Sequence, residues 1–339
     1  MGTTLNQSKQ NFRCIGLVNE LNLEKEDCEI KVKDKNGNDA GTKDGERIKG
    51  SVAVRMKDGV KTFNVFVNSL TTKGEENKQW KNALAMLDLN PEIGGDSDKE
   101  ASLVSVSGRV DENSYLGQDG NVKTILRWSA SRISTSRVDP EDEHGCTLSG
   151  NFYIKSVRPE TKDDEETGRL LVTLCAVGYG ATPILIDTIV NEDLAEAFED
   201  IYEVGQTAPF DIDVVMEHIG GSNTSGKKKF GSGGAVNVNS GYDKETLVIV
   251  GGDEPIEEPE DEDDNGNLID NGWIDPKAMK IALKERDTKL AEIKENGGKE
   301  KEIAKKKSSL KDRKKVGKPV HPAEEDDDNP FDNDLDDDF

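Results

Sequence analysis

One aromatic side chain in the first half of the chain falls among cations on an otherwise polar strand face. In the alternating run KTFNVFVNSL, the apolar residues face one way and Phe66 faces the other way, between two asparagines. The same alternation places Arg55 and Lys57 of the preceding run beside Phe66, and it places Arg109 opposite a row of valines. Bases stack on an exposed ring while Arg and Lys follow phosphates, which is the chemistry of sequence-independent single-strand binding. The residues also leave open that Phe66 packs beneath a loop or against a second unit, with the cations on an ordinary solvated surface.

A second set of candidates surrounds the run NVKTILRWSASRI. Trp128 shares a face with two other apolar residues, which indicates a core position, whereas Lys123 and Arg127 fall on the opposite face. Tyr115 lies in the predicted loop before this strand. There the ring could close over a bound strand of nucleic acid, or it could brace the loop.

A glycine-rich and basic loop over residues 220–234 adds further candidates. Its sequence, GGSNTSGKKKFGSGG, carries Lys227, Lys228, Lys229 and Phe230. Such a loop could wrap nucleic acid, or it could be a solvated linker with a chance run of lysines.

Residue types that would support catalysis or metal binding are scattered. The chain has 3 histidines and 4 cysteines, with no C-x-x-C pair, and no GxxxxGK[ST] loop occurs. We therefore predict no metal, no cofactor and no enzymatic activity. An enzyme or enzyme subunit built on the same modules is the weaker alternative.

The elements that must position these residues follow one order twice. From Asn11, a strand and a polar glycine-containing stretch lead to two strands joined at Asp58–Gly59, and a helix around Trp80 and two more strands follow. The second half repeats strand, strand, strand, helix, strand, strand, with a helix after Asn191. This is the order of the OB-fold, a five-stranded barrel that binds oligonucleotides on strands 2 and 3 and in its loops. We predict a mainly β chain with two OB-like five-stranded barrels, each with one helix, over residues 1–137 and 138–252.

Charge separates these two units. The chain as a whole has a formal net charge of −24, but residues 1–137 carry 21 Lys/Arg against 20 Asp/Glu, whereas residues 138–252 carry 8 against 21. A polyanion is therefore better accommodated by the first unit, which we predict to be the main DNA-binding unit.

The remaining chain is too polar to form a core. We predict a disordered linker over residues 253–323, with a helix over 276–295 and a basic block over 299–318 that contacts phosphates or pairs with neighbouring acids. Residues 324–339 form a strongly acidic tip.

The sequence of this tip, EEDDDNPFDNDLDDDF, resembles the ends of bacterial single-stranded-DNA-binding proteins, which place a run of Asp before Pro-Phe, and of their phage counterparts. The resemblance implies that Phe339 enters an apolar pocket on replication or repair proteins, with Asp336, Asp337 and Asp338 meeting basic side chains around it. The Pro-Phe match itself, Pro330 and Phe331, is internal, so it implies a weaker second docking site or none. A purely solubilising acidic end is the alternative.

Together these patterns predict a protein that coats single-stranded DNA during replication, recombination or repair and recruits partner proteins through its tip. A non-catalytic scaffold whose barrels bind protein and an RNA-binding protein are the alternatives. No signal sequence or apolar run near 18 residues is present, so we expect a cytoplasmic protein, in a bacterial host if it is phage-encoded, with no membrane partner. The sequence leaves homo-oligomerisation open.

Overall fold

The computed structural model describes residues 5–34, 37–117, 119–135, 143–219, 242–260 and 270–313. The strands in these ranges are β1 (Gln10–Lys33), β2 (Asp39–Arg55), β3 (Val60–Asn68), β4 (Leu103–Leu116), β5 (Val122–Ser134), β6 (Cys146–Lys162), β7 (Glu165–Val177), β8 (Pro183–Val190), β9 (Thr207–Ile219) and β10 (Tyr242–Gly252). The α-helices are α1 (Trp80–Met86), α2 (Glu192–Ile201) and α3 (Pro276–Arg313), and a 3-10 turn spans Tyr179–Ala181.

The first five strands close into a barrel. β1 pairs with β2, β2 with β3, β3 with β5 and β5 with β4, and β4 returns to β1. The β3–β5 pair is parallel, with Asn64 opposite Ser129, so the chain must cross from one end of the barrel to the other between them. β4, which is antiparallel to β5, makes this crossing, and the segment that contains α1 connects the end of β3 to the start of β4.

The next five strands repeat the same closure. β6 pairs with β7, β7 with β8, β8 with β10 and β10 with β9, and β9 returns to β6. The β8–β10 pair is again parallel, with Ile189 opposite Val248. The antiparallel strand β9 makes the crossing, and α2 lies in the connection from β8 to β9. The predicted fold class, mainly β with two OB-like barrels that each carry one helix, is confirmed.

The barrels meet along their first strands. β1 and β6 pair antiparallel, with Gln10–Cys14 opposite Cys146–Gly150, so that the two barrels share one ten-stranded sheet. We call this five-residue ladder the seam.

Alternation along the strands fills each barrel with apolar side chains. In the first barrel, Phe12 stacks on Phe63 with ring centroids 5.0 Å apart and meets the edge of Trp128 at 5.3 Å. In the second barrel, Phe198 of α2 stacks on Phe210 at 5.8 Å. Trp128 is buried, as its apolar neighbours in the sequence predict.

The prediction of a polar connecting stretch after the first strand is wrong, because β1 and β2 continue through it as a long hairpin. Its outer part is stabilised by cross-strand charge pairs such as Lys25 with Glu46, 2.6 Å apart, and Ile30 and Val32 near its end are buried. Because most side chains in this part of the hairpin are charged, the sequence lacks the alternation of apolar and polar residues by which strands are predicted.

The segment after the second barrel also differs from the predicted disordered linker. Ile256 donates its backbone N–H to the carbonyl of Thr207 at 2.7 Å, so this part of the chain lies against β9. α3 begins at Pro276, as predicted, but it continues to Arg313 rather than ending near residue 295. It packs through buried Met279 on the outer surface of the second barrel.

α3 also reaches the first barrel. Arg286 donates two hydrogen bonds to the carboxylate of Glu112 in β4, at 2.8 and 2.9 Å, and both side chains are largely buried. Glu112 also accepts the backbone N–H of Leu185 in β8. The helix therefore connects the two barrels. Across the described ranges, no helix combines the length and the apolar character that a membrane crossing requires.

Candidate nucleic-acid interface

A cleft of about 860 Å³ opens on the outer surface of the first barrel. Its walls come from the long β1–β2 hairpin, from β3 and the segment before α1, and from β4 and β5. Phe66 of β3 and Arg109 of β4 both line it, so the structure brings two of the residues predicted from sequence into one site. We call this site the cleft.

Phe66 projects into the cleft as predicted, because the residues on either side of it point into the barrel. Phe66 is 54% exposed, whereas Val65 and Val67 are buried. The guanidinium carbon of Arg47 lies 4.7 Å from the centroid of its ring, which is a cation–π contact. Arg47 also donates from Nε to Oδ1 of Asn68 at 2.9 Å, and these contacts hold the ring and the guanidinium together.

The regular alternation of β4 directs Arg109 to the same surface, next to a bulge in which β5 carries one extra residue, Ser131. The register of the β4–β5 pair shifts between Ser107 and Gly108, and a Cβ atom on Gly108 would lie 2.0 Å from the carbonyl oxygen of Ser129. Only glycine fits at this close approach. Arg109 is exposed while the residues before and after it are buried, so the inward and outward alternation of β4 continues unbroken past Gly108.

Beyond the bulge, the β4–β5 hairpin continues the surface away from the cleft. Asp111 pairs with Arg127, and Tyr115 pairs with Lys123, so all four lie on the same face as Arg109. Tyr115 is 44% exposed. The face runs for six residues from Arg109, which is roughly 20 Å of strand. We call it the hairpin face.

The prediction that Tyr115 lies in a loop is wrong, because the hairpin is longer than its sequence indicates. β4 ends only at Leu116, and the connection is a tight turn in which Gly117 donates to the carbonyl of Asn121 at 2.8 Å. The hydrogen bond from the backbone N–H of Asn121 is the main cause that lowers the pKa of Asp119, and the nearby charge of Lys123 lowers it further. Tyr115 is therefore held by a ladder rather than by a mobile connection.

The predicted position of Arg55 and Lys57 beside Phe66 is also wrong. Arg55 pairs with Val60, at the opposite end of the β2–β3 ladder, whereas Lys49 is the residue opposite Phe66. The side chain of Arg55 binds Glu92 in two hydrogen bonds, one of 2.8 Å from Nε.

Both of these cations are engaged by acids that the sequence does not place near them. The hydrogen bond from Arg55 to Glu92 raises the pKa of the guanidinium and lowers that of the carboxyl. Lys57 binds Glu143, and that hydrogen bond raises the pKa of the ammonium. Neither residue lines the cleft.

The residues that sequence reasoning missed are the cations at the other end of β2 and on the hairpin. Arg47 and Lys31 line the cleft together with Arg109, against the acids Glu29 and Asp111. The cleft thus carries three cations and two carboxylates. The β2–β3 register, counted from the turn at Asp58–Gly59, was the signal that pointed towards residues near 49 rather than 55.

Several predicted residues fall outside the described part of the chain. They are Lys227, Lys228, Lys229 and Phe230 of the basic loop, and Pro330, Phe331, Asp336, Asp337, Asp338 and Phe339 of the acidic tip. Among the residues that the structure does describe, no three His, Cys, Asp or Glu side chains converge in a way that could hold a metal ion.

Comparisons with known proteins give one family and a set of distant structures. The family model described as YorF matches residues 11–271. None of the curated protein sequences matches. The wild-type single-stranded DNA binding protein from Thermus aquaticus is 10% identical over 77% of this chain and 99% of that one, with a TM-score of 0.39. A deletion mutant of the same protein is 12% identical over 75% and 99%, with a TM-score of 0.36.

Proposed function

The chain belongs to the YorF family, and from the cleft and hairpin face of its first barrel we propose that it binds single-stranded DNA without sequence preference and without catalysing a reaction. The observation that carries this proposal is the half-exposed ring of Phe66 in one cleft with Arg47 and Arg109. The cleft also lies where the OB-fold presents its ligand surface, on strands 2 and 3 and the hairpin that joins strands 1 and 2.

Each part of the surface matches a part of a single strand. A base stacked on the ring of Phe66 contributes roughly 1–3 kcal/mol, whatever its identity, because every base has an aromatic face. Arg109 and Arg127 then follow the phosphates along the hairpin face, and Tyr115 offers a second ring at its far end. This path along the hairpin face is roughly 20 Å long.

The corresponding surface of the second barrel lacks this combination. The parallel ladders match Asn64 of β3 with Ile189 of β8, so the position equivalent to Phe66 is Asn191, at the start of α2. The outward residues of β8 are Leu185, Asp187 and Ile189, an apolar and acidic set. This contrast supports our proposal that residues 1–137 form the main DNA-binding unit and residues 138–252 an acidic second domain.

We further propose the cellular role that the tail implies. Residues 324–339 recruit replication, recombination or repair proteins, chiefly through Phe339 and Asp336–Asp338, in a cytoplasm where the first barrel coats exposed DNA. The basic loop over 220–234 supplies further phosphate contacts. Residues 253–323 link the barrels to the tip.

The test is the affinity of the full chain for a fluorescein-labelled oligo(dT), measured by fluorescence anisotropy at two salt concentrations. Phe66→Ala should weaken binding by roughly 5- to 150-fold, the equivalent of one lost base stack. Tyr179→Ala is the matched control, because Tyr179 is an 83% exposed aromatic on the second barrel and away from the cleft. It should leave the affinity unchanged.

Three outcomes would contradict the proposal. Equal losses for the two variants would remove the cleft from the binding surface. Tighter binding to oligo(U) than to oligo(dT) would favour RNA as the ligand. The absence of binding to any single strand would leave a scaffold whose barrels bind protein.

A further inference from the structure

Two of the four cysteines face each other across the seam between the barrels. All four are present as thiols, and the antiparallel register of β1 and β6 sets Cys14 directly opposite Cys146. The two residues are 132 positions apart in the sequence, and no C-x-x-C motif predicts that they lie close together. Their proximity results only from the pairing of the barrels.

The hydrogen bonds next to this pair define its geometry. Ile15 donates its N–H to the carbonyl of Gly145 at 2.8 Å, which makes Ile15 and Gly145 a hydrogen-bonded pair. Because such pairs alternate along an antiparallel ladder, Cys14 and Cys146 form a non-hydrogen-bonded pair, with Cα atoms about 4.5 Å apart. Disulfides bridge Cα separations of about 4.4–6.8 Å, so this pair can be joined without moving the backbone far.

The two thiols already interact in the core. Cys14 is 0% exposed and Cys146 3% exposed, and both belong to the apolar cluster that includes Phe12 and Leu148. The hydrogen bond with Cys146 and then burial raise the pKa of Cys14 well above its ordinary value, while the nearby ammonium of Lys61 acts in the opposite direction. Thiolates react and thiols do not, so oxidation must await local opening of the seam.

We propose that Cys14 and Cys146 are a redox modification site that closes a disulfide across the seam and links the two barrels covalently. The oxidant is a small disulfide of the glutathione class. One protein thiolate attacks it and releases one reduced thiol, and the other protein thiolate then attacks the mixed disulfide and releases the second. The protein loses two protons and two electrons, which the small disulfide takes up as two thiols.

The bond would act on the joint between the barrels and not on the cleft. Both sulfurs lie on the inner side of the sheet, whereas Phe66 and Arg109 lie on the outer surface of the first barrel. Oxidation should therefore stabilise the pair of barrels while the affinity of the first barrel for a short oligo(dT) stays the same. Once formed, the buried disulfide should resist reduction until the seam opens again.

The experiment uses the full chain with Cys28→Ser, which removes a partly exposed thiol that could join two molecules. This parent is incubated with oxidised glutathione and followed by intact mass, by mapping of disulfide-linked peptides, and by thermal unfolding. Cys14→Ser and Cys146→Ser in the same background should lose the reaction, and Cys175→Ser, which removes a buried thiol elsewhere, should keep it.

The parent should lose the mass of two hydrogen atoms, yield one peptide that joins Cys14 to Cys146, and gain roughly 5–15 °C in Tm, reversibly with reductant. Mapping on the parent decides the pairing even where a serine variant folds poorly. A linked peptide that contains Cys175, a persistent mixed disulfide with glutathione, or four unreacted thiols in the wild-type chain just below the unfolding temperature would each overturn the proposal.

Discussion

A buried ion pair between the two barrels, whose partners differ in their exposure to solvent, provides the strongest test of the packing between the barrels. Lys61 of β3 binds Glu245 of β10, and its ammonium lies 4.1 Å from the centroid of the Trp128 ring. The side chain of Lys61 is 5% exposed, whereas that of Glu245 is 31% exposed. Burial lowers the pKa of Lys61, and the charge of Glu245 acts against this shift.

Because Lys61 is much more buried than Glu245, replacing either residue breaks the pair but should reduce the free energy of unfolding by a different amount. Glu245→Gln leaves a charged ammonium in the core with no carboxylate, which costs about 3–5 kcal/mol. Lys61→Met removes the buried charge and leaves Glu245 where water can reach it, so the cost is about 1 kcal/mol, close to that of the lost cation–π contact. The corresponding losses in Tm are roughly 6–20 °C and roughly 2–4 °C.

The pH dependence provides an independent sign. Because the pKa of Lys61 is lower in the folded state than in the unfolded state, the unfolded chain binds the proton more tightly between those two values. Stability from this group therefore rises as pH increases towards the unfolded pKa of about 10.4. Glu245→Gln removes the charge that supports the ammonium, so this variant should recover more stability on alkalinisation than the wild type.

The assay is thermal unfolding of the wild type, both single variants and the double variant at pH 7 and pH 9.5, followed by tryptophan fluorescence. The double variant should resemble Lys61→Met, because without the ammonium of Lys61 the loss of the Glu245 carboxylate leaves no unpaired charge in the core. Equal losses for the single variants, or a gap between Glu245→Gln and the double variant that widens with pH, would refute this reasoning.

Three other substitutions test separate parts of the structure. Gly108→Val should cost at least about 2 kcal/mol in urea unfolding, because its Cβ would lie 2.0 Å from the carbonyl oxygen of Ser129, and an unchanged midpoint would contradict this close approach. Arg286→Met should cost about 3–5 kcal/mol and release α3 to proteolysis, because Glu112 is only 7% exposed, and Arg286→Met with Glu112→Gln should recover much of this loss. Arg109→Ala should reduce the salt dependence of oligo(dT) binding by about 0.7 in the log–log slope, and an unchanged slope would mean that this residue meets no phosphate.

The order of the elements was predictable because each barrel is built from local patterns. Alternation marks β3 and β4, the Asp58–Gly59 step marks a turn, and the helical spacing of Trp80, Leu84 and Leu87 marks α1. Each of these patterns spans only a few residues. The face of Phe66 follows from the same alternation. The sequence therefore predicted which way this ring points and the fold that presents it.

The neighbours of that ring were harder to predict, because they depend on register rather than on face. The register of β2 and β3 places Lys49 opposite Phe66 and Arg47 opposite the next outward residue, Asn68. A cation of β2 can therefore lie on the same face as Phe66 and still be at the other end of the strand. Arg55 illustrates this, since its partner Glu92 comes from the segment after α1 and was not recognisable from either strand. The face on which a side chain lies follows from the alternation of its own strand. Its neighbours depend on how that strand is aligned with another segment of the chain.

The net charge of −24 is the feature that most opposes binding to a polyanion, and its distribution resolves the conflict. At 0.1 M salt, exposed charges are largely screened beyond about 10 Å, so a phosphate in the cleft responds mainly to the side chains that line it. Those are the cations Lys31, Arg47 and Arg109 and the acids Glu29 and Asp111, which leave a small local excess of positive charge. A cleft with so small an excess gains little from phosphates alone. Stacking on Phe66 must therefore contribute a large share of the affinity, which is why a single aromatic substitution should weaken binding more than the loss of a single cation.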